Sequence, residues 1–353
     1  MNNYRRNGSR AKGNMIKRID IENLGPLKKA SATISNQLTV VIGKNDSGKT
    51  LLLKSIYASL RALETYRRGD ERRSFKSVLD DKLFWTFQLG RLGDLVRKGE
   101  GASKLSFRTE VDDQEIKFSF SSSAEKGVGE CTQVPSQREG STVFIPAKEV
   151  LSLQKVIRKS REIDQEFGFD DTFLDLVNYL DKPTSQGGGK HVTDARKKLK
   201  EFLKGSVEFS DKRGWYFKKG NSQFDINITA EGVKKIAILD RLIGNKMINS
   251  GTVLIIDEPE AHLHPSAIIF LMDMLKKLCR QGVQVILSTH SYFVIKKLSL
   301  LAKIDDWPVQ LLSIDELNGA VESFELGDGV PDIPIIQASV DLYEQELDIA
   351  FHE

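Results

Sequence analysis

The octapeptide GKNDSGKT, Gly43 to Thr50, constrains this chain more than any other segment. It joins a continuous apolar run, LTVVI (38–42), to a segment in which Leu52, Ile56, Leu60 and Leu63 recur at helical spacing. The run reads as a strand buried on both faces, and the helix starts at about Lys49. Strand, glycine-bearing turn and helix in this order are the context that the pattern G-x-x-x-x-G-K-[ST] requires. Gly43 and Gly48 let backbone N–H groups turn inward around phosphate oxygens. The helix N-terminus adds partial positive charge. Gly43, Lys44, Asn45, Asp46, Ser47, Gly48, Lys49, Thr50 and Leu51 are the expected phosphate-binding set. Within it, Lys49 is expected to reach the β- and γ-phosphates of a nucleotide, and Thr50 to hold Mg²⁺.

Further along, VLIIDEPEAHLHP begins as a second buried strand and ends in Asp257-Glu258. Asp257 is expected to hold the magnesium through water, and Glu258 to orient and deprotonate the attacking water. VQVIL (283–287) is a third buried strand, followed directly by STHS (288–291). His290 at that strand end is placed to contact the γ-phosphate or the water. Lys49, Glu258 and His290 are the expected catalytic residues, and Thr50 and Asp257 the expected metal ligands. His262 and His264, at i and i+2 without further well-spaced ligands, read as structural rather than as a metal site.

The remaining segments supply the frame. MIKRIDIENL alternates Ile19 and Ile21 and reads as a strand. Leu105 and Phe107 answer Ile116, Phe118 and Phe120 around Asp112-Asp113, a hairpin signal. Val207 and Phe209 face Trp215 and Phe217 across a second turn. Between the hairpins, 150–204 is charged and reads as helical, broken by the loop PTSQGGGK (183–190). FDINI alternates Phe224, Ile226 and Ile228 and reads as a return to strand. A helix pattern then starts at Gly232, and another, with Ile268, Leu271, Met272, Leu275 and Leu278 on one face, starts at Pro265 and stops at Gly282. PVQLLSI (308–314) is the last expected strand. Buried strands alternating with helices predict an α/β fold with a mostly parallel sheet, an antiparallel β subdomain and a helical insertion.

Charge and composition exclude several classes. The apolar runs are far shorter than the ~20 residues a membrane span needs, so no membrane contact is expected. The first 14 residues are polar and basic with no apolar core, unlike a secretory leader. Cys131 and Cys279 fit a reducing cytoplasm and read as packed. The net charge of +3 is a sum of unlike ends. Residues 1–18 carry Arg5, Arg6, Arg10, Lys12, Lys17 and Arg18 without an acid; residues 321–353 carry nine acids without Lys or Arg. The basic arm can be a solvated tail or can touch nucleic acid or an acidic partner. The stretch IPIIQASVDLYEQELDIAF can pack on the body or form a partner-binding helix.

GKNDSGKT, LIIDEPEAHLHP and ILSTHS, in this order, resemble the ABC-type ATPase head, a P-loop NTPase. The wide separation of the first two, the DEPEAHLHP wording and the opening IKRIDIENLGPL are similar to the group of OLD-family, RecF and SMC-like ATPases. The resemblance is specific over 15–60 and 224–300, and FIPAKEVLSL (144–153) adds a weaker likeness to stand-alone, defence-associated members. It implies two heads that sandwich two ATPs, each completed by the partner's signature segment. ITAEGVKKIA (228–237) is the candidate segment, with Gly232 at the signature glycine and Ala230 where a serine is usual. Lys234 or Lys235 can supply charge in its place. The D-loop of the group falls on His262, Leu263, His264 and Pro265, with His264 in place of aspartate; the Q-loop glutamine is not placed by these motifs.

By this resemblance the chain divides into a basic arm (1–14), an N-terminal half-head (15–64), an inserted region (65–223), a C-terminal half-head (224–320) and an acidic tail (321–353). It is expected to act as an ATPase, at least a dimer with ATP at the interface, that switches a separate nuclease or toxin chain in a prokaryotic anti-phage system. A Toprim nuclease, often fused in the OLD group, has no obvious room after STHS. The other reading is a RecF-like DNA-binding ATPase in repair, mildly favoured by nine basic residues in 66–98: Arg67, Arg68, Arg72, Arg73, Lys76, Lys82, Arg91, Arg97 and Lys98.

Overall fold

The computed structural model describes residues 15–68, 73–99, 101–184, 190–315 and 318–352. The basic arm, Arg72 and most of the 183–190 loop lie outside the described residues. The chain runs β1 (Ile16–Leu24), β2 (Leu27–Thr33), β3 (Leu38–Ile42), α1 (Lys49–Thr65), α2 (Phe75–Phe87), β4 (Lys104–Val111), β5 (Gln114–Ser121), β6 (Glu130–Cys131) and β7 (Thr142–Ile145). It continues through α3 (Gln154–Arg158), α4 (Asp171–Asp181), α5 (Lys190–Leu203), β8 (Ser206–Ser210), β9 (Gly214–Lys219), β10 (Ser222–Asp225) and α6 (Glu231–Gly244). It closes with β11 (Val253–Asp257), α7 (Pro265–Cys279), β12 (Gln284–Thr289), α8 (Tyr292–Asp305), β13 (Val309–Ile314), β14 (Val321–Glu325) and α9 (Pro334–His352).

The central sheet has the order β14-β13-β3-β12-β11-β7, parallel except for β14. Its inner strands are continuous apolar runs because helices cover both faces. All residues of β3 and β11 are buried. Parallel strands end at one edge, so Ile42, Asp257 and Thr289 come out side by side: Ile42 pairs with Thr289, and Asp257 with Ser288. Ligand sites of open α/β sheets lie at that edge.

A second sheet, β2-β1-β4-β5-β6, is antiparallel throughout. Its β4–β5 hairpin turns at Asp112 in the left-handed region (φ 57°), with Phe107 opposite Phe118 as the alternation predicts. Helix α1 lies between the two sheets. That is why Ser55, Ser59 and Glu64 are buried beside the expected face of Leu52, Ile56, Leu60 and Leu63. The expected α/β class, with a mostly parallel sheet and an antiparallel subdomain, is the observed one.

The middle of the chain is woven into the body more than a simple insertion would be. Strands β4–β6 extend the sheet begun by β1, and β7 is the edge strand beside β11. FDINI needs correction as a strand. Phe224 and Asp225 close β10 of a separate meander, β10-β9-β8, and Ile226–Ile228 is a 3-10 turn whose Asn227 N–H is capped by Asp225 at 2.8 Å. The cap satisfies the backbone locally and competes with a sheet ladder. Strand β14 lies within the acidic 321–353 segment and pairs with β13. Cys131 and Cys279 are free and buried. No helix among the described residues is long and apolar enough to cross a membrane.

Candidate nucleotide site

The loop after β3 bends at Asp46 and Gly48, both with positive φ (63° and 95°). A Cβ at Gly48 would stand 3.0 Å from Pro26 Cγ, so a side chain there meets both backbone strain and the β1–β2 turn. Lys44, Asn45 and Asp46 are exposed at the loop tip, whereas Ser47 is buried. The Ser47 hydroxyl has no partner among the described residues. Lys49 folds back, and its ammonium donates to the carbonyls of Gly43 and Lys44, both at 2.8 Å. Burial pushes the ammonium below its usual range, against the pull of Glu258, Asp257 and Glu260. Leu51 turns its side chain away, toward Gly25 and the antiparallel sheet; only its backbone belongs to the helix start.

The end of β11 completes the edge. The Thr50 hydroxyl donates to Asp257 Oδ2 at 2.9 Å, and the Ser288 hydroxyl donates to Asp257 Oδ1. Glu258 sits in the left-handed region (φ 48°), which turns its side chain off the strand direction. Its Oε1 lies 3.3 Å from His290 Nδ1. Lys49, Thr50, Asp257, Glu258 and His290, three separate segments of sequence, are therefore brought to one edge.

Two contributors escaped the sequence reading, Glu260 and Ser288, and a third, Lys235, stands elsewhere than expected. Glu260 is nearly buried; its Oε1 accepts from the Thr289 hydroxyl at 2.7 Å and from the His290 N–H at 3.0 Å. Its Oε2 has no partner among the described residues. Ser288 bridges strands by donating to Asp257 and accepting the Glu258 N–H at 3.1 Å. Lys235 donates to the Glu258 carbonyl at 2.7 Å, and burial pushes its ammonium down to about 8 against the attraction of Glu260, Glu258 and Asp257. The E-P-E spacing was the available signal for Glu260; nothing local marked Ser288.

Gly232 lies in the first turn of α6, and a Cβ there would stand 3.1 Å from the His262 carbonyl oxygen and from Leu263. The start of α6 thus abuts the segment after β11 rather than the phosphate loop. Lys234 and Lys235 do not offer free charge there. Lys234 is 2% exposed and bonds Glu231 at 2.9 Å, while Lys235 is held by the Glu258 carbonyl. His264 caps α7, its Nδ1 accepting from the Ser266 N–H at 3.2 Å. Among the described residues no group of three or more His, Cys, Asp or Glu is placed to hold a metal.

Residues 38–296 match the family model described as "AAA domain, putative AbiEii toxin, Type IV TA system". This chain belongs to that family. It is a P-loop ATPase: it binds and hydrolyses ATP. A 42-residue stretch is 55% identical to the Old nuclease of Escherichia phage P2, covering 12% of this chain and 7% of that protein. The chain thus spans under a tenth of that relative's length. The fold is similar to an Smc head bound to the C-winged helix domain of ScpA, with TM-score 0.52 and 14% identity over 88% of this chain and 97% of that one. It is also similar to an Smc head with an extended coiled coil bound to the C-terminal domain of ScpA, derived from Pyrococcus furiosus. There the TM-score is 0.50 and the identity 11%, over 94% of this AAA-family chain and 99% of that one.

Proposed function

We propose that this ATPase is a nucleotide-driven dimerisation switch for a separate effector, a nuclease or toxin, in a prokaryotic anti-phage system. The observation that carries the switch is the meeting of the phosphate-loop helix, the β11 end and the β12 end at one edge. Thr50 and Asp257 present hard oxygen ligands 2.9 Å apart, which suits Mg²⁺ completed by phosphate and water. When bound, the ion would neutralise charge on the phosphates. Lys49 exchanges its two carbonyl partners for the β- and γ-phosphates. Glu258 orients the attacking water and takes its proton, with His290 beside it reading the γ-phosphate. Gly232 of a second copy closes the site from outside, so the two copies part when the γ-phosphate leaves.

The effector role rests on the family description, which names a toxin, and on the short likeness to a phage nuclease. The DNA-repair reading has less support. Arg73, Lys76, Lys82, Arg91 and Lys98 all make ion pairs within the chain, which spends much of the basic charge of 66–98. The test is Glu258→Gln with ATP and Mg²⁺. The variant should hold ATP, stop turnover and elute as a stable dimer that retains a co-expressed neighbouring nuclease or toxin. A monomer under those conditions overturns the switch; a dimer that retains DNA instead favours the repair reading.

A further inference from the structure

Two surface features have no part in the nucleotide site. The first is α9. Ile333 is buried and Ile335 and Ile336 pack on the core, but beyond them the helix emerges, with Val340 41%, Tyr343 60%, Ile349 64% and Phe351 81% exposed. Val340, Tyr343 and Leu347 continue from the packed Ile336 at the alternating four-three spacing of a packing seam. Asp341, Glu344, Glu346 and Asp348 flank it, and 321–353 holds no Lys or Arg. Two α9 helices laid together would set acid against acid, which is unfavourable. The seam calls for a partner that is basic as well as apolar.

The second feature is the cleft between α5 and α7. Phe202 and Phe270 stack with ring centroids 4.1 Å apart and clamp the two helices at one end. One to two turns further along both helices is a cavity of about 810 Å³ edged by Lys197, Lys198, Lys277 and Arg280. Asp194 and Glu201 also line it, and Lys197 is 3.8 Å from Glu201, so the balance stays basic. Lys198 and Lys277 touch each other; this contact, with some burial, holds Lys277 below its usual range. Two ammonium groups in contact are relieved by a neighbouring anion. Their methylene stems offer apolar cover below the charged heads.

We propose that α9 of one copy lies across the α5–α7 cleft of a second copy. Within one chain α9 packs on α8, and α8 on α7, so α7 stands between α9 and the cleft. The exposed part of α9 is about 20 Å long at 1.5 Å per residue, enough to cross a cleft between two helices. Exchange in both directions gives a closed pair. This contact needs no nucleotide and goes beyond the ATP-dependent pairing proposed above; it does not rest on it.

Sedimentation velocity of the nucleotide-free full chain tests it. The protein should self-associate, and the association should weaken steeply with salt, since exposed charge pairs are screened. Lys197→Glu/Lys198→Glu/Lys277→Glu should weaken it by about tenfold or more, as should Glu344→Lys/Glu346→Lys/Asp348→Lys. A chain carrying both sets should associate again, because the charges are exchanged rather than lost. A nucleotide-free monomer, a salt-insensitive association, a cleft variant that associates normally, or failure of the combined chain to recover each overturns the proposal. Capture of another protein by α9 while the cleft variant still self-associates overturns it as well.

Discussion

The Thr50 hydroxyl donates to Asp257 Oδ2 at 2.9 Å, across 207 positions of sequence. One residue lies in the first turn of α1 and the other ends β11, so the bond pins the phosphate loop to the neighbouring strand edge. Ser288 donates to the other oxygen of the same carboxylate. Asp257→Asn removes the negative charge and turns one acceptor into a donor that faces a hydroxyl. ATP affinity measured in EDTA should change little. Phosphate release at saturating Mg²⁺ should fall by about 100-fold or more, the usual scale for losing a metal's charge stabilisation. A variant with normal turnover and normal Mg²⁺ dependence would remove Asp257 as the metal ligand.

Lys235 makes stability depend on pH. Its ammonium, ordinarily near 10.5, is pushed down to about 8 by burial. Between about 8 and 10.5 the unfolded chain therefore binds more protons than the native one, and stability rises with pH across that window. Below about 8 the lysine is charged in both states and contributes a constant penalty. The rise is on the order of 1–3 kcal/mol, with Lys49 shifted in the same direction and adding to it. Urea titrations of nucleotide-free protein at both ends of the window should show a smaller rise for Lys235→Met. An equal rise in the variant would mean that the lysine is not the titrating group.

Helix α1 is also pinned at its far end. Glu64 is 1% exposed; its carboxylate takes the Arg138 guanidinium and the Thr142 hydroxyl, and Arg138 reaches the Gly251 carbonyl at 3.2 Å. This ties α1 to β7 and to the turn before β11. Glu64→Ala leaves a buried guanidinium without its carboxylate and should cost about 3–5 kcal/mol. Glu64→Gln keeps an acceptor for both donors and should cost less. The ranking is readable from denaturant midpoints, provided the slope of the transition is unchanged. Equal midpoints for Glu64→Ala and the parent would show that the pair is not stabilising.

What could be read from sequence follows from where the information sits. The phosphate loop, Asp257-Glu258 and His290 lie in short contiguous patterns beside continuous apolar strands, so their place at a strand end was legible. The β4–β5 hairpin was legible because Phe107 and Phe118 alternate about Asp112. β7 was not, since TVFI is four residues and its partner β11 is more than a hundred residues away. The turn at Ile226–Ile228 was misread because alternation of three apolar residues fits a strand, while the Asp225 cap that breaks it is a side-chain event. Lys234 and Lys235 read as a source of charge at the signature segment, yet helix α6 turns both inward. The partners that hold them, Glu231, Glu149 and the Glu258 carbonyl, assemble only in three dimensions.

Glu260 links the ends of β11 and β12, and this makes it a lever on His290. Its Oε1 takes both the Thr289 hydroxyl and the His290 N–H, which fixes the backbone that carries the imidazole 3.3 Å from Glu258. Glu260→Ala frees both donors and lets the His290 backbone drift. A displacement of even 1 Å at a catalytic group costs on the order of 100-fold in rate, so turnover should fall by about 10- to 100-fold. ATP affinity should stay within a few-fold, because Glu260 is not bonded to the phosphate loop. Glu260→Gln keeps an acceptor oxygen in place and should retain most of the activity. Steady-state phosphate release with an independent ATP-binding measurement separates the two effects. If Glu260→Gln is as slow as Glu260→Ala, the charge rather than the tether matters, and the positioning account of Glu260 fails.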